Sequence, residues 1–207
     1  MHALEPAATP ARPESLRARQ QRVARATILD ATLEMLVESD DEPSYAEIAR
    51  RSGVARRTLY RYFPTRDELY AAVGEHTVTR LGLPIDIGTS SQLVASFKHA
   101  SGISMRNVPL ARALVKTTAG RRVRSGPWSR RSAAVATALE DAVAHLPPRQ
   151  ARGATAIMQY LFGLHTWVRL HDEYGLSPED ARESVAWALE TLLSELRHGK
   201  GPADRGN

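Results

Sequence analysis

The sequence predicts an all-α protein in two parts, a helix-turn-helix unit near the N-terminus and a longer C-terminal helical bundle. Three observations lead to this prediction. Apolar residues recur at helical spacings of three and four along most of the chain. Two capping boxes, beginning at Ser44 and Thr65, mark helix starts on either side of a glycine turn at Gly53. Proline and glycine residues then divide the remaining chain into segments of helical length.

Composition bounds the class of protein. A chain of 207 residues, 43% of them hydrophobic, can form one or two compact domains. The absence of cysteine excludes disulfides and thiolate metal sites. No apolar run is long enough to span a membrane, and the N-terminus lacks the apolar segment of a secretory signal, so we expect a cytoplasmic protein. The net charge of +5 suits nucleic acid, but it suits other anionic partners equally.

The chain begins with a segment that has no helical periodicity. Residues 1–18 are rich in Pro, Ala and Arg and are predicted to form a disordered basic arm. The first helix is predicted from Arg19 to Glu38, with a continuous apolar stripe. For Arg19 and Arg22, a contact with a nucleic-acid backbone and a loose tail both remain open.

Two short helices joined by a tight turn are predicted next. Ser44 and Glu47 can cap each other's free backbone N–H groups at the start of the first of them. Gly53 supplies the positive φ that such a turn requires. Leu59 and Phe63, four residues apart, can share the buried side of the second helix. This pattern is typical of a helix-turn-helix.

Basic charge is concentrated at the second of these helices. Residues 50–66 contain six arginines and no acid, whereas residues 30–47 contain seven acids and no base. A helix-turn-helix inserts its second helix into the major groove of DNA, where basic charge is favourable. A solvated basic face would show the same charge, but the caps, the glycine turn and the apolar spacing favour the DNA-binding interpretation.

Three sequence blocks in this region resemble the TetR family of bacterial transcriptional regulators. They are ILDATLEMLVE at 28–38, IARRSGV at 48–54 and TLYRYFPTRDELY at 58–70. The chain departs from the family at Ala55, where Ser or Thr is usual, and an alanine cap costs ~1 kcal/mol. The resemblance implies a homodimeric repressor of a palindromic operator that a small-molecule effector releases.

The resemblance and helix-turn-helix geometry together suggest the DNA contacts. Arg56, Arg57 and Thr58 lie at the start of the recognition helix, where guanidinium groups and a threonine methyl can read base edges. The resemblance implies mainly phosphate contacts at five further positions: Ser44, Tyr45, Tyr60, Tyr62 and Arg66. For Tyr60 and Tyr62, packing within the motif is the alternative.

Four further helices are predicted between the motif and Leu146. They are a fourth helix at Arg66–Leu81, followed by Gln92–Met105, Pro109–Arg124 and Trp128–Leu146. Residues between 87 and 139 include nine Lys or Arg and no acid. The basic 92–131 region either lines a pocket for an anionic effector or forms a solvated surface, and we favour the surface because charge runs are usually exposed.

The last two predicted helices carry the clearest apolar stripes of the C-terminal half. One covers Gln150–Tyr174, and the other begins after a Ser177 cap with proline at its first position. These stripes can complete the subunit's own core, whereas the resemblance implies that they form a four-helix dimer interface. The interface residues implied are Ile157, Leu161, Leu164, Val168, Val185, Leu189, Leu192 and Leu196.

The sequence shows no pattern of a catalytic or metal site. It lacks a P-loop, a dinucleotide-binding glycine turn and a nucleophile elbow. His165 and His171 are six residues apart, which does not place two ligands on one helical face. We expect no enzyme activity and no cofactor. The resemblance suggests an effector pocket lined by Trp128, Met158, Phe162 and His165, although their spacing suits a structural core at least as well.

The sequence therefore predicts a DNA-binding transcriptional regulator. The predicted segments are the arm at 1–18, a helix-turn-helix DNA-binding domain at 19–70, and an effector-binding and dimerisation domain at 71–207. The expected partners are a double-stranded DNA operator, a second copy of the chain and a small-molecule effector, with no membrane. The competing hypotheses are a helical-bundle enzyme or interaction module whose N-terminal motif has lost DNA binding, and an activator with the same fold.

Overall fold

A computed structural model describes residues 15–202, and every regular element in that range is helical, which confirms the all-α prediction. A short 3-10 helix at Ser90–Gln92 precedes the fifth α-helix. The α-helices are α1 (Leu16–Glu38), α2 (Tyr45–Ser52), α3 (Arg56–Tyr62), α4 (Arg66–Leu81), α5 (Leu93–Met105), α6 (Val108–Lys116), α7 (Thr118–Ala138), α8 (Glu140–Val143), α9 (Pro148–Phe162), α10 (Leu164–Tyr174) and α11 (Pro178–Arg197). None of these helices combines the length and apolar content needed to cross a bilayer.

Most of the predicted basic arm, residues 1–14, lies outside the described residues. Helix α1 begins at Leu16, before the predicted start at Arg19. The Ser15 hydroxyl accepts a hydrogen bond of 3.2 Å from the Ala18 amide, so a side-chain cap fixes the earlier start.

Helices α1–α4 form one hydrophobic core that continues into the C-terminal part. Ile28, Ile48 and Leu59 are fully buried at its centre. Leu114 of α6 and Val123 of α7 belong to the same cluster. The N-terminal unit is therefore not joined to the bundle only through a linker, because α4 packs directly on α7 and α1 packs on α6.

Helix α7 runs through the predicted break at residues 125–127, so that prediction is wrong. Pro127 lies inside the helix, where it cannot donate a hydrogen bond to the Val123 carbonyl. That carbonyl faces α4: a Cβ added at Gly74 would lie 2.2 Å from the Val123 oxygen and 3.3 Å from Pro127 Cδ. The helix tolerates the proline because the turn that has lost this hydrogen bond packs closely against Gly74 of α4.

The chain breaks instead at Thr117, between α6 and α7. The Thr117 hydroxyl accepts a 2.8 Å hydrogen bond from the Gly120 amide and donates one of 2.9 Å to the Ala113 carbonyl. A Cβ at Gly120 would lie 2.2 Å from the Ala113 oxygen, so the corner between the helices requires glycine.

The helix predicted at Gln150–Tyr174 is interrupted at Gly163, whose φ of −71° and ψ of 144° are extended. The Thr166 hydroxyl donates a 2.6 Å hydrogen bond to the Tyr160 carbonyl, which also accepts one of 3.1 Å from the Gly163 amide at the end of α9. Below the break, α9 and α11 pack with α5 and α7 in a second core around Leu93, Leu139 and Leu189.

Candidate DNA-binding surface and effector cavity

The helix-turn-helix is fixed by local hydrogen bonds. The Ser44 hydroxyl accepts from the Glu47 amide at 3.3 Å, and a Glu47 carboxylate oxygen accepts from the Ser44 amide at 2.7 Å. Gly53 ends α2 with a φ of 66°. Helix α3 follows Ala55, which makes no side-chain cap hydrogen bond, so the start of α3 relies on packing.

Helix α3 presents its basic side to solvent. Leu59 and Phe63 are 0% and 1% exposed and hold the helix against α1, α2 and α4. Arg56, Arg57 and Arg61 are exposed. No described residue therefore covers the basic side of α3, which is the side that would enter the major groove of DNA.

Two of the six arginines at residues 50–66 are held by acids. Arg51 of α2 forms a bidentate ion pair with Glu38 of α1. Arg66 lies 3.5 Å from a Glu42 carboxylate and donates to the Pro43 carbonyl at 3.1 Å. The remaining four form no ion pair with described residues: Arg50, Arg56, Arg57 and Arg61.

The tyrosines of the motif differ in how free their hydroxyls are. Tyr45 is buried, and its hydroxyl donates a 2.9 Å hydrogen bond to the Phe63 carbonyl, so it cannot also donate to a phosphate. Burial raises the pKa of Tyr45. Tyr60 is 44% exposed and receives a 3.5 Å hydrogen bond from Arg56, which leaves its own proton free. Tyr62 is half-buried with its ring edge against Phe63.

The other predicted contacts are accessible. Ser44 is half-buried, and its capping role uses only the acceptor side of the hydroxyl, so the O–H can still donate. Thr58 is half-buried on α3 beside Arg57. The predicted DNA contacts other than Tyr45 thus keep free donors or exposed surface, and their contacts with DNA remain predictions.

A cavity of about 220 Å³ lies in the C-terminal part, between α4, α5, α6, α7, α9 and α10. Trp128, Phe162 and His165 line it, as the resemblance suggests. Met158 does not line it, because its side chain is 0% exposed and points into the second core. Burial, followed by the charges of Arg124 and Arg169, lowers the pKa of His165.

Two arginines that the sequence analysis did not single out also line this cavity. The Arg124 Nε donates to the Leu114 carbonyl at 2.6 Å. Arg131 is 9% exposed, and its guanidinium lies 4.7 Å from the Phe162 ring centre. The Arg131 Nη2 is 3.4 Å from the Ser96 carbonyl, and its Nη1 has no hydrogen-bond partner. The sequence feature that could have pointed to these two arginines is the absence of any acid between residues 87 and 139.

The other basic side chains of that run lie at the surface, as favoured from the sequence. Several are paired with acids there: Lys98 with Glu183, Arg112 and Lys116 with Asp172, Arg122 with Glu42, and Arg130 with Glu75. Arg124 and Arg131 are the exceptions, because helix α7 turns them toward the cavity.

Half of the residues predicted for the dimer interface are buried in the subunit's own core. Those below 9% exposure are Val168, Val185, Leu189 and Leu196, and they cannot reach a partner without unfolding. Leu161, Leu164 and Leu192 are half-buried, and Ile157 is 44% exposed.

Two exposed aromatic residues lie on α9 and α11, which pack against each other. Tyr160 and Trp187 are 46% and 69% exposed. Trp187 was missed because it lies off the apolar stripe of α11, although a tryptophan on the polar side of a helix was itself a signal. Among residues 15–202, no group of three or more His, Cys, Asp or Glu is placed to hold a metal ion.

A basic recognition helix, exposed on a capped helix-turn-helix above an α-helical bundle, defines the class: a DNA-binding regulator of transcription. Residues 28–73 match the family model described as "Bacterial regulatory proteins, tetR family". This N-terminal segment of the chain is therefore similar to the TetR family of bacterial regulators.

Solved structures support the same fold. NalD of Pseudomonas aeruginosa, described as the secondary repressor of the MexAB-OprM multidrug efflux pump, is 19% identical, with a TM-score of 0.58 over 83% of this chain and 96% of that chain. A TetR regulator from Rhodococcus sp. RHA1 is 22% identical, with a TM-score of 0.52 over 85% and 98%. A TetR-family regulator from Streptomyces coelicolor is 18% identical, with a TM-score of 0.57 over 84% and 89%. No curated protein sequence matches significantly.

Proposed function

We propose that this protein is a homodimeric, cytoplasmic repressor that binds a palindromic operator and is released from it by a small molecule in the cavity. The observation that carries the proposal is the open face of α3, where Arg56, Arg57 and Arg61 are exposed and form no ion pair with described residues. Guanidinium groups in this state can bind guanine edges and phosphates without first breaking an ion pair.

Dimerisation follows from the limited reach of one recognition helix. Helix α3 has seven residues and can contact only a few base pairs. Two copies about 34–36 Å apart would read successive major grooves, which is the geometry of a palindromic site. We assign the contact between subunits to the paired helices α9 and α11, which expose three large apolar side chains, Ile157, Tyr160 and Trp187.

The position of the cavity beside α4 supports a link between ligand binding and the DNA-binding unit. Val78 and Leu81 of α4 line it, and only three residues separate the end of α3 from the start of α4. Arg122 of α7 also lies 3.3 Å from Glu42, in the loop before α2. A ligand shifts the position of α4 only by binding two arrangements with different affinity, and the loss of DNA affinity would give derepression. The description of NalD as a repressor favours this sign of regulation.

The proposal is tested by selecting duplexes from a random DNA pool with the full-length protein. We expect enriched sequences with two-fold symmetry and half-sites one or more helical turns apart. Fluorescence anisotropy against the best duplex should show log K falling linearly with log salt, because phosphate neutralisation releases counterions. Failure to enrich any sequence, together with a flat salt dependence, would instead favour the interaction module.

The roles of the arginines are separated by matched substitutions. Arg57→Ala should weaken binding to the selected duplex by about 1–3 kcal/mol and relax its base preference. For the exposed Arg61 we propose a phosphate contact, so Arg61→Ala should weaken all duplexes alike and reduce the salt slope by roughly 0.9 for each phosphate that is no longer neutralised. Arg121→Ala removes the same charge from an exposed site on α7 and serves as the control. Equal losses of affinity in all three variants would refute the assigned roles.

A further inference from the structure

The effector cavity is apolar in most of its lining. Phe97, Trp128, Phe162 and Trp167 contribute aromatic surface, and Phe97 and Phe162 meet edge to face at 5.8 Å. The volume of about 220 Å³ exceeds the roughly 150 Å³ of an apolar cavity that binds benzene. The cavity therefore suits a compact organic molecule somewhat larger than a single ring.

The charges that face this space are all of one sign. Arg124 and Arg131 line the cavity, and no Asp or Glu does. Among the described residues, neither guanidinium forms an ion pair. Two acids on helices that border this region are paired elsewhere: Glu75 of α4 pairs with Arg130, and Glu183 of α11 pairs with Lys98 and Arg182.

Of the two arginines, only Arg131 has a buried guanidinium nitrogen without a hydrogen-bond partner. Burial alone lowers its pKa to about 10, and no carboxylate acts in the opposite direction. The group therefore stays charged at neutral pH in a site that is nine-tenths buried. Its contacts are a long hydrogen bond to the Ser96 carbonyl and the Phe162 ring face, and its Nη1 is left without a partner.

A buried charge without a counter-charge is unfavourable, and an unmade hydrogen bond adds to that cost. A carboxylate relieves both, because its two oxygens match the guanidinium fork and carry the missing charge. An ammonium ligand would meet two like charges and no acid. A neutral ligand would fill the apolar space but leave the Arg131 charge uncompensated.

We infer that the effector is a small organic carboxylate with a compact apolar body, whose carboxylate binds Arg131 while the body packs against the aromatic lining. Arg124 adds a second positive charge near the same space. The assignment of this ligand as the effector rests on the proposed function, whereas the charge preference of the cavity can be measured without DNA.

The test uses calorimetry on the full-length protein with two matched ligand series. One is 3-phenylpropanoate, 3-phenylpropanamide and 3-phenylpropylammonium, and the other is octanoate with its amide and its ammonium counterpart. Within each series the shape is nearly constant and only the charge changes. We expect the carboxylate to bind at least about tenfold more tightly than the amide, and the ammonium to bind least, because hydrogen bonds to charged groups contribute this much.

Adjacent arginines provide the matched variants. Arg131→Met should abolish the preference for carboxylate over amide while leaving the amide affinity within about threefold. Arg131→Lys keeps the positive charge but loses the planar guanidinium that binds both carboxylate oxygens, so it should retain part of the preference for carboxylate over amide. Arg130→Met removes the same charge from an exposed position one residue away and should retain the full preference. Circular dichroism establishes that each variant is folded.

Several results would overturn the inference. They are equal affinity for carboxylate and amide, tighter binding of the ammonium, a preference that survives in Arg131→Met, or no saturable binding by either series. The proposed function is tested separately, by measuring binding of the protein to the selected duplexes. Carboxylate binding through Arg131 without DNA binding would remove only the proposed function, and release from DNA by neutral or cationic ligands alone would remove only this inference.

Discussion

The close approach of α4 and α7 gives a prediction with a matched control. Gly74→Ala places a methyl group 2.2 Å from the Val123 carbonyl oxygen, well inside the 3.4 Å at which ordinary contact begins. The neighbouring atom is backbone and cannot rotate away, so the two helices must separate by on the order of 1 Å. A gap of 0.5–1 Å already forfeits about a quarter to a half of the dispersion attraction across it.

The expected magnitude follows from comparison with Gly102→Ala in α5. A Cβ at Gly102 would come no closer than 3.9 Å to any neighbour, so this variant should show only the gain from helix propensity, ~1 kcal/mol. Gly74→Ala carries the same gain, but overpacking opposes it by about 1–3 kcal/mol. We therefore expect Gly74→Ala to be less stable than Gly102→Ala by about 1–3 kcal/mol.

Thermal and urea unfolding of the two variants at equal protein concentration would measure this difference, since dimerisation makes apparent stability depend on concentration. Affinity for a selected DNA duplex should fall in Gly74→Ala and stay unchanged in Gly102→Ala, because α4 connects the cavity wall to α3. A Gly74→Ala protein as stable as Gly102→Ala would show that α4 and α7 do not approach as closely as described.

Three further predictions concern single helices and the interface between subunits. Ala55→Ser supplies the missing cap of α3 and should raise the free energy of unfolding by about 0.5–1 kcal/mol, measured by urea unfolding. Burial opposes ionisation of Asp172, but hydrogen bonds from two cations of α6 outweigh it and lower the pKa of this carboxyl. Its stabilisation should be present above the ordinary aspartate pKa and lost as the pH falls through the lowered pKa of the folded state, so Asp172→Asn should lose about 1–3 kcal/mol at pH 7 and progressively less as the solution is made more acidic. Trp187→Ser should shift sedimentation toward monomer at a concentration where Val23→Ser, which changes an exposed apolar residue of α1, does not.

The parts of the fold that were predictable depend on short-range signals. The capping box at Ser44 and the positive φ at Gly53 involve residues no more than three apart, and both occur where the sequence placed them. Apolar spacing likewise predicted that Leu59 and Phe63 would be buried on one side of α3. Each of these features is decided within one or two helical turns, so no knowledge of the tertiary packing was needed.

The failures arose where packing overrides local preference. Pro127 and the glycine before it signalled a break, yet packing against Gly74 keeps the helix continuous. The stripe of Val185 and Leu189 suited a partner subunit and the subunit's own core equally, and only the packing of α9 against α11 decides between them. The inward direction of Arg131 likewise depends on the path of α7 past the cavity.

The same turn of α7 connects the cavity with the DNA-binding unit. Pro127 lines the cavity on one side, and its ring atoms lie 3.3 Å from the position of a Cβ at Gly74 on the other. Arg131, one turn further along α7, is where we place the ligand carboxylate. A ligand that draws Arg131 inward therefore acts on the segment of α7 against which α4 rests. Because packed helices have little free volume, even a small displacement there must be taken up by α4, and the start of α4 fixes the end of the recognition helix.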